Sequence, residues 1–271
     1  MASSPNDTLV VETTDAICRI TLNRPKSLNA INPDMARALK QVAAEIKADK
    51  AVRVAVIQGA GDHFMAGGDI KGFKALLDGN PGAAGIRAHF DEMLTIVHGF
   101  IADFRQMPKP VLGSVQGAVA GAGFSLMLAC DLRIASNGAR FLMAYGNIGA
   151  TADGGSTYLL PRIVGSAKAM ELYLASQPLG AESALEMGLV TQLCDKEALA
   201  QHALETAMRL AQGATVAYGR VKELFLNSWS SSVEDQLEAE TQAFVDISLT
   251  RDLQEGVKAF TEKRPPWFQG L

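Results

Sequence analysis

Only three of the 271 residues are cysteine, and Cys18, Cys130 and Cys194 stand far apart with no Cys-x-x-Cys spacing. So scattered and odd a set argues against a disulfide framework and against a zinc site, and the three are expected to be small buried hydrophobes. An excess of positive charge is also missing. The formal net charge is -4 and the basic residues form no stripe, so a nucleic-acid partner is not expected. Long apolar runs are lacking too. The most apolar stretch, Val111 to Cys130, is interrupted by Gly, Ser and Gln, so it does not supply the roughly 18 to 20 apolar residues of a membrane span. Met1 to Thr8 has neither a basic start nor an apolar run, so no secretory signal is expected and the chain reads as soluble and cytoplasmic. What is present is apolar mass. With 48% hydrophobic and 20% charged residues, the chain can bury the core of one large domain, or of one domain with an appendage.

Leu9 to Glu12 and Ile17 to Leu22 flank Thr14-Asp15 and read as a β-hairpin. Asn32-Pro33-Asp34 supplies a helix start, followed by Met35, Leu39, Val42 and Ile46 at helical spacing. Strands are expected at Val52 to Gln58, Val111 to Val115 and Leu132 to Ala135, with a long amphipathic helix from Gly85 to Met107 and a short one from Phe124 to Ala129. This alternation predicts an α/β core. Lys74 to Arg87 is expected to be an irregular, mobile flap because of its Gly and Pro. Beyond about Asp195 the pattern is helical: Ala198 to Ala211, Ala214 to Leu226, Val233 to Ile247 and Arg251 to Lys263. Helices this short need something to pack on, their own core or a neighbouring subunit.

Two loops of small residues carry candidate chemistry. Phe64-Met-Ala-Gly-Gly-Asp-Ile70 follows a strand, and Gly117-Ala-Val-Ala-Gly-Ala-Gly-Phe-Ser125 leads from a strand into a helix. Each is either a tight packing turn or a place where free N–H groups face an oxyanion. The second is neither a dinucleotide fingerprint, lacking its third glycine, nor a nucleophile elbow, lacking a glycine after Ser. Two converging N–H groups from separate segments are what an oxyanion hole requires.

With Leu22-Asn-Arg-Pro-Lys-Ser-Leu-Asn-Ala-Ile31, Pro108-Lys-Pro-Val111, Cys130-Asp131 and Glu255-Gly-Val-Lys-Ala-Phe-x-x-Lys263, these loops resemble the crotonase (enoyl-CoA hydratase/isomerase) superfamily in order and spacing, over nearly the whole chain. The resemblance implies a ClpP/crotonase-like spiral of ββα units over residues 1–195, a helical trimerisation region over 196–271, and a homotrimer or dimer of trimers. It implies a coenzyme A thioester as substrate, with no permanently bound cofactor and no metal. By position, the oxyanion hole would be the N–H groups of Gly68 and Ala122. Adenine would lie near Ala66, Asp69 and Ile70. Lys26, with Phe260 and Lys263 of a neighbouring chain, would lie near the phosphates.

Hydratases of this superfamily use two glutamates, and the matching positions here are Ser125 and Tyr145. A serine hydroxyl and a phenol of pKa about 10 are poor general bases near neutral pH. The acid nearby is Asp153, either a catalytic carboxylate or a cap on the helix that follows it. Its segment is similar to the single-aspartate Δ3,Δ2-enoyl-CoA isomerases and ring-expanding epoxyphenylacetyl-CoA isomerases, which implies that Asp153 shuttles a proton. Two alternatives stand beside this. Asp153 could be a nucleophile assisted by His98, as in 4-chlorobenzoyl-CoA dehalogenases or an acyl-CoA hydrolase, although their aryl-contacting tryptophans match Val97 and Tyr145 here; or the chain could be a catalytically weak acyl-CoA-binding scaffold. His98 itself has the plainer reading of a histidine at the edge of an apolar helix face.

Overall fold

The structure, a computed structural model, describes residues 2–271. β1 (Leu9–Thr14) and β2 (Ile17–Leu22) form the hairpin, with Leu9 opposite Leu22 and Thr14 opposite Ile17. Asp15 and Ala16 both take positive φ, the two-residue turn whose twist suits antiparallel strands. α1 (Pro33–Ala48) starts at Asn32, whose side chain accepts from the Met35 N–H at 3.0 Å, with Pro33 in the first turn. β3 (Val54–Gly59) follows, then α2 (Ile70–Asp78) and the 25-residue α3 (Gly82–Gln106). β4 (Val111–Val115), β5 (Ala118–Ala120), α4 (Ala122–Ala129), β6 (Leu132–Ser136) and β7 (Arg140–Leu142) come next. α5 (Ser156–Val164), α6 (Ser166–Ala175), β8 (Leu179–Gly180), α7 (Ala181–Glu186) and β9 (Gln192–Cys194) complete the α/β part.

One sheet has the order β1-β2-β3-β4-β6-β9, parallel from β2 onward; a smaller one has the order β5-β7-β8. Both faces of the larger sheet are covered, which is why its strands read as continuous apolar runs. On β3, Ala55 and Ile57 join the main core with residues of α1, α3 and α4, while Val54 and Val56 point to the opposite face. There they meet Leu199, Ala203 and Ala207 of α8 (Leu199–Ala211).

The segment 74–87 departs from the irregular flap expected of it. α2 runs on to Asp78 and α3 begins at Gly82, so the break is the three residues Gly79, Asn80 and Pro81. Asn80 takes the left-handed φ of 49° and Pro81 precedes the new helix; the breaking residues act locally, and Ala83, Ala84 and their neighbours remain free to coil. α9 (Thr215–Asn227), α10 (Val233–Ser248) and α11 (Arg251–Thr261) lie close to the expected spans. Their outer faces stay apolar: Phe244, Leu249 and Phe260 are 69%, 78% and 86% exposed. Cys18 and Cys130 are buried and Cys194 half-buried. Among the described residues no helix is long and apolar enough to cross a membrane.

Candidate active site

The two small-residue loops are joined by backbone. Met65 pairs with Val119 in a parallel bridge, with Met65 N–H donating to Ala118 O and Ala120 N–H to Met65 O, at 3.2 and 2.9 Å. Three residues beyond each bridge partner stand Gly68 and Ala122, so the same count of residues carries both chains to one place. Gly67 (φ 107°) and Gly121 (φ 49°) turn them inward, and a Cβ on Gly121 would lie 3.6 Å from Gly67 Cα. Positive φ and so close an approach both call for glycine. Gly67 and Gly121 are buried, whereas Gly68 and Ala122 stay partly accessible. Neither the Gly68 nor the Ala122 N–H has an acceptor among the described residues, and Ala122 is the first residue of α4, where the helix dipole favours negative charge. The packing and oxyanion readings of these loops are therefore compatible: glycines pack them so that two N–H groups are left free.

One helical turn along α4 from Ala122 is Ser125, buried, with Oγ 2.9 Å from Tyr145 Oη. Ser125 Oγ also stands 3.0 Å from the Asp153 carbonyl oxygen, and Tyr145 donates its hydroxyl to Asp153 Oδ1 at 2.7 Å. Asp153 is not the cap of α5. Gly155 holds that position without a side-chain bond, and what Ser156 takes up is the Asp153 carbonyl, leaving the carboxylate to face Tyr145. Burial holds the Asp153 carboxyl above its ordinary range, against the opposing pull of the Tyr145 hydroxyl and the His98 charge. Burial, then the Asp153 charge, pushes the Tyr145 phenol far above its ordinary value, so it stays a protonated donor. His98, on α3, is exposed, yet near enough for its charge to act on Asp153.

Beside Gly68, the Phe73 ring lies 3.1 Å from where a Gly68 Cβ would be and meets Phe90 edge-on at 5.1 Å. These rings make that wall apolar. Ala66 and Asp69 are half-buried beside Gly68, with Ile70 half exposed at the start of α2. Lys26 is exposed on the turn whose Leu28 carbonyl accepts the Ala66 N–H. Phe260 and Lys263 sit exposed at the far end of α11. The Asp69 side chain is already engaged: it pairs with Arg24 at 2.9 Å and caps α2 through Gly72 N–H. Burial would raise its carboxyl, but Arg24 and that N–H outweigh it and hold the group below the usual range.

Asn29 is fully buried at φ 55°, donating to Ala60 O and His63 O and accepting from Arg24 N–H. It buttresses the loop that bears Gly68, since Ile31 N–H donates to Gly67 O and Asp69 N–H to Ile31 O. In the sequence Asn29 is part of a motif with no task of its own; an Asn tolerates the left-handed conformation, but nothing local announces its distant partners. No group of three or more His, Cys, Asp or Glu side chains among the described residues is arranged to hold a metal ion.

A family model described as enoyl-CoA hydratase/isomerase matches residues 12–270. The chain is 34% identical to the 1,2-epoxyphenylacetyl-CoA isomerase of Escherichia coli, covering 94% of this chain and 95% of that protein. It is 35% identical to a "Probable enoyl-CoA hydratase" of Rhodobacter capsulatus, over 97% and 98% of the two chains. The crystal structure of an enoyl-CoA hydratase from Polaromonas sp. JS666 superposes with a TM-score of 0.89 at 31% identity, over 96% and 99% of the chains. The fold is thus the crotonase fold of these enzymes.

Proposed function

Since this chain belongs to the enoyl-CoA hydratase/isomerase family and is an acyl-CoA enzyme, we propose that it moves a double bond within its acyl-CoA substrate, using Asp153 as the single base. The observation that carries this reading is the hydrogen-bonded set of Ser125, Tyr145 and Asp153. Two neutral hydroxyls stand at the positions of the hydratase glutamates, and one carboxylate of raised pKa faces them. Hydration needs one group to orient water and another to deliver a proton; isomerisation needs one group that takes a proton and gives it back. Asp153 removes a proton from the carbon next to the thioester of a 3-enoyl substrate. The electron pair moves onto the thioester oxygen as an enolate, facing the N–H groups of Gly68 and Ala122. Asp153 then returns the proton to the fourth carbon, leaving a 2-enoyl thioester and an ionised carboxylate. Each preorganised donor of this kind is typically worth about 10²–10³ in rate. The enzyme needs no resident cofactor for these steps.

The charge of His98 acting on Asp153 also favours a second reading, in which Asp153 attacks carbon and His98 activates water. A panel of 3-hexenoyl-CoA, crotonyl-CoA and 4-chlorobenzoyl-CoA separates them. Conversion of 3-hexenoyl-CoA to the 2-enoyl isomer is expected; release of chloride, or hydration of crotonyl-CoA alone, would contradict the isomerase reading.

The same proposal takes 1–195 as the spiral core and 196–271 as the assembly region of a homotrimer or dimer of trimers. The exposed Phe244, Leu249 and Phe260 support it, being more apolar surface than a lone helical region keeps in water. Ala66, Asp69, Ile70 and Lys26, with the neighbouring chain's copies of Phe260 and Lys263, would line the coenzyme A path. Sedimentation velocity is expected to give a species of three or six chains; a stable monomer would count against it.

A further inference from the structure

The geometry points to Tyr145 as a positioning residue: its hydroxyl clamps Asp153 Oδ1 and leaves Oδ2 as the oxygen that carries the proton. This inference rests on the reading of Asp153 as the base. An ionised carboxylate only accepts hydrogen bonds, so the 2.7 Å contact commits the tyrosine proton to Oδ1. The Tyr145 oxygen can then accept, and Ser125 Oγ stands 2.9 Å away. Ser125 has one proton to give. Directed at Tyr145 it completes a chain from serine to tyrosine to aspartate, in which each bond polarises the next; directed at the Asp153 carbonyl, 3.0 Å away, it steadies the backbone bearing the carboxylate.

The packing leaves this set little freedom. Tyr145 is 7% exposed and Ser125 1%. Gly154 takes φ 58°, and a Cβ there would lie 2.7 Å from Ser125 Cβ. Gly155, next along, faces Ile101 of α3 at 3.6 Å from its would-be Cβ. A carboxylate held at Oδ1 on a backbone packed this closely keeps its other oxygen in one place, which is what a shuttle serving two carbons of the same substrate requires. The groups that bear on its ionisation are Tyr145 from the turn after β7 and His98 from α3. Ser125 from α4 and the first residues of α5 bring no charge.

The test is the pH dependence of kcat and KM for 3-hexenoyl-CoA in wild type, Tyr145→Phe, Ser125→Ala and Asp153→Asn. Phenylalanine keeps the ring in its slot and removes only the hydroxyl. Without that hydrogen bond the carboxylate is less stable, so the acidic limb of the kcat profile is expected to move to higher pH by about one unit. The plateau kcat should fall about tenfold with KM changed less than about twofold. In Ser125→Ala the limb should move the same way by less. His98 is untouched in both variants, so its contribution cancels. An unmoved limb in Tyr145→Phe, whatever happens to kcat, would overturn the positioning role. Were Tyr145→Phe to fail to fold, an unmoved limb in Ser125→Ala would do the same. Asp153→Asn separates the two levels: full turnover there would overturn the base assignment itself, whereas a dead Asp153→Asn beside an unmoved Tyr145→Phe limb would overturn only this inference.

Discussion

Replacing Asp153 by Asn is expected to lower kcat/KM for a 3-enoyl-CoA by at least about 10³-fold, within the range that a positioned general base supplies. Asparagine is nearly the same size and can still accept the Tyr145 hydroxyl bond now made at 2.7 Å, so binding and fold should be preserved. What it loses is the capacity to hold a proton between two carbons. KM should therefore change much less than kcat, the pattern of an interaction used in the transition state. The raised pKa of Asp153 has a visible sign. The working form is the carboxylate, so activity falls as pH drops through a value above the ordinary range of aspartate, and it should fall to a single-ionisation limb. A variant that retained wild-type kcat/KM would remove the central residue from the mechanism.

Gly123→Ala is expected to have the second largest effect, on stability and activity together. A Cβ at Gly123 would overlap the Met65 carbonyl oxygen and lie 2.8 Å from its carbon. That carbonyl accepts the Ala120 N–H in the bridge joining the two loops, so the added methyl must part the segments that carry Gly68 and Ala122. Overpacking against rigid backbone should cost about 3 kcal/mol, a fall in melting temperature of about 6 to 12 °C for a chain of this size. In the protein that remains folded, one misplaced donor should cost about 10²–10³ in kcat. Gly138→Ala is the control, since nothing lies within 4 Å of its would-be Cβ. Thermal unfolding and kinetics that did not distinguish the two variants would show that the bridge does not set the site.

The parts of the fold written in local pattern are legible in the amino-acid sequence. β4 occupies Val111–Val115 as its apolar run predicts, and Asn32-Pro33 starts α1. The strands β5, β7 and β8, of two or three residues, leave no mark in the pattern, because elements so short are defined by their partners and not by their own periodicity. The α2–α3 break is narrower than its composition suggests, for the reason visible at Asn80: turn-forming residues are spread over the eight positions 78–85, and only three of those positions bend the chain. At the site, the chemistry-bearing loops stand out in the sequence, but the choice between cap and base at Asp153 is not decidable locally. Its answer depends on Tyr145, eight residues away in sequence, and on Ser125, twenty-eight away. Ser125 and Tyr145, which the resemblance to the family sets at the positions of the hydratase glutamates, are the hydrogen-bond partners of Asp153.

The most direct test of the account is deuterium incorporation from D2O during turnover of 3-hexenoyl-CoA, followed by mass spectrometry and NMR in wild type and Asp153→Asn. A proton shuttle at Asp153 predicts a 2-enoyl product with wild type, its fourth carbon bearing the proton taken from the second carbon, or deuterium to the extent that the Asp153 proton exchanges before its return, and neither product nor exchange above buffer with the variant. A 3-hydroxyacyl product, or wild type showing neither 2-enoyl product nor exchange above buffer, would contradict it: the first would make the protein a hydratase despite its missing glutamates, and the second a binder of acyl-CoA that performs no proton transfer.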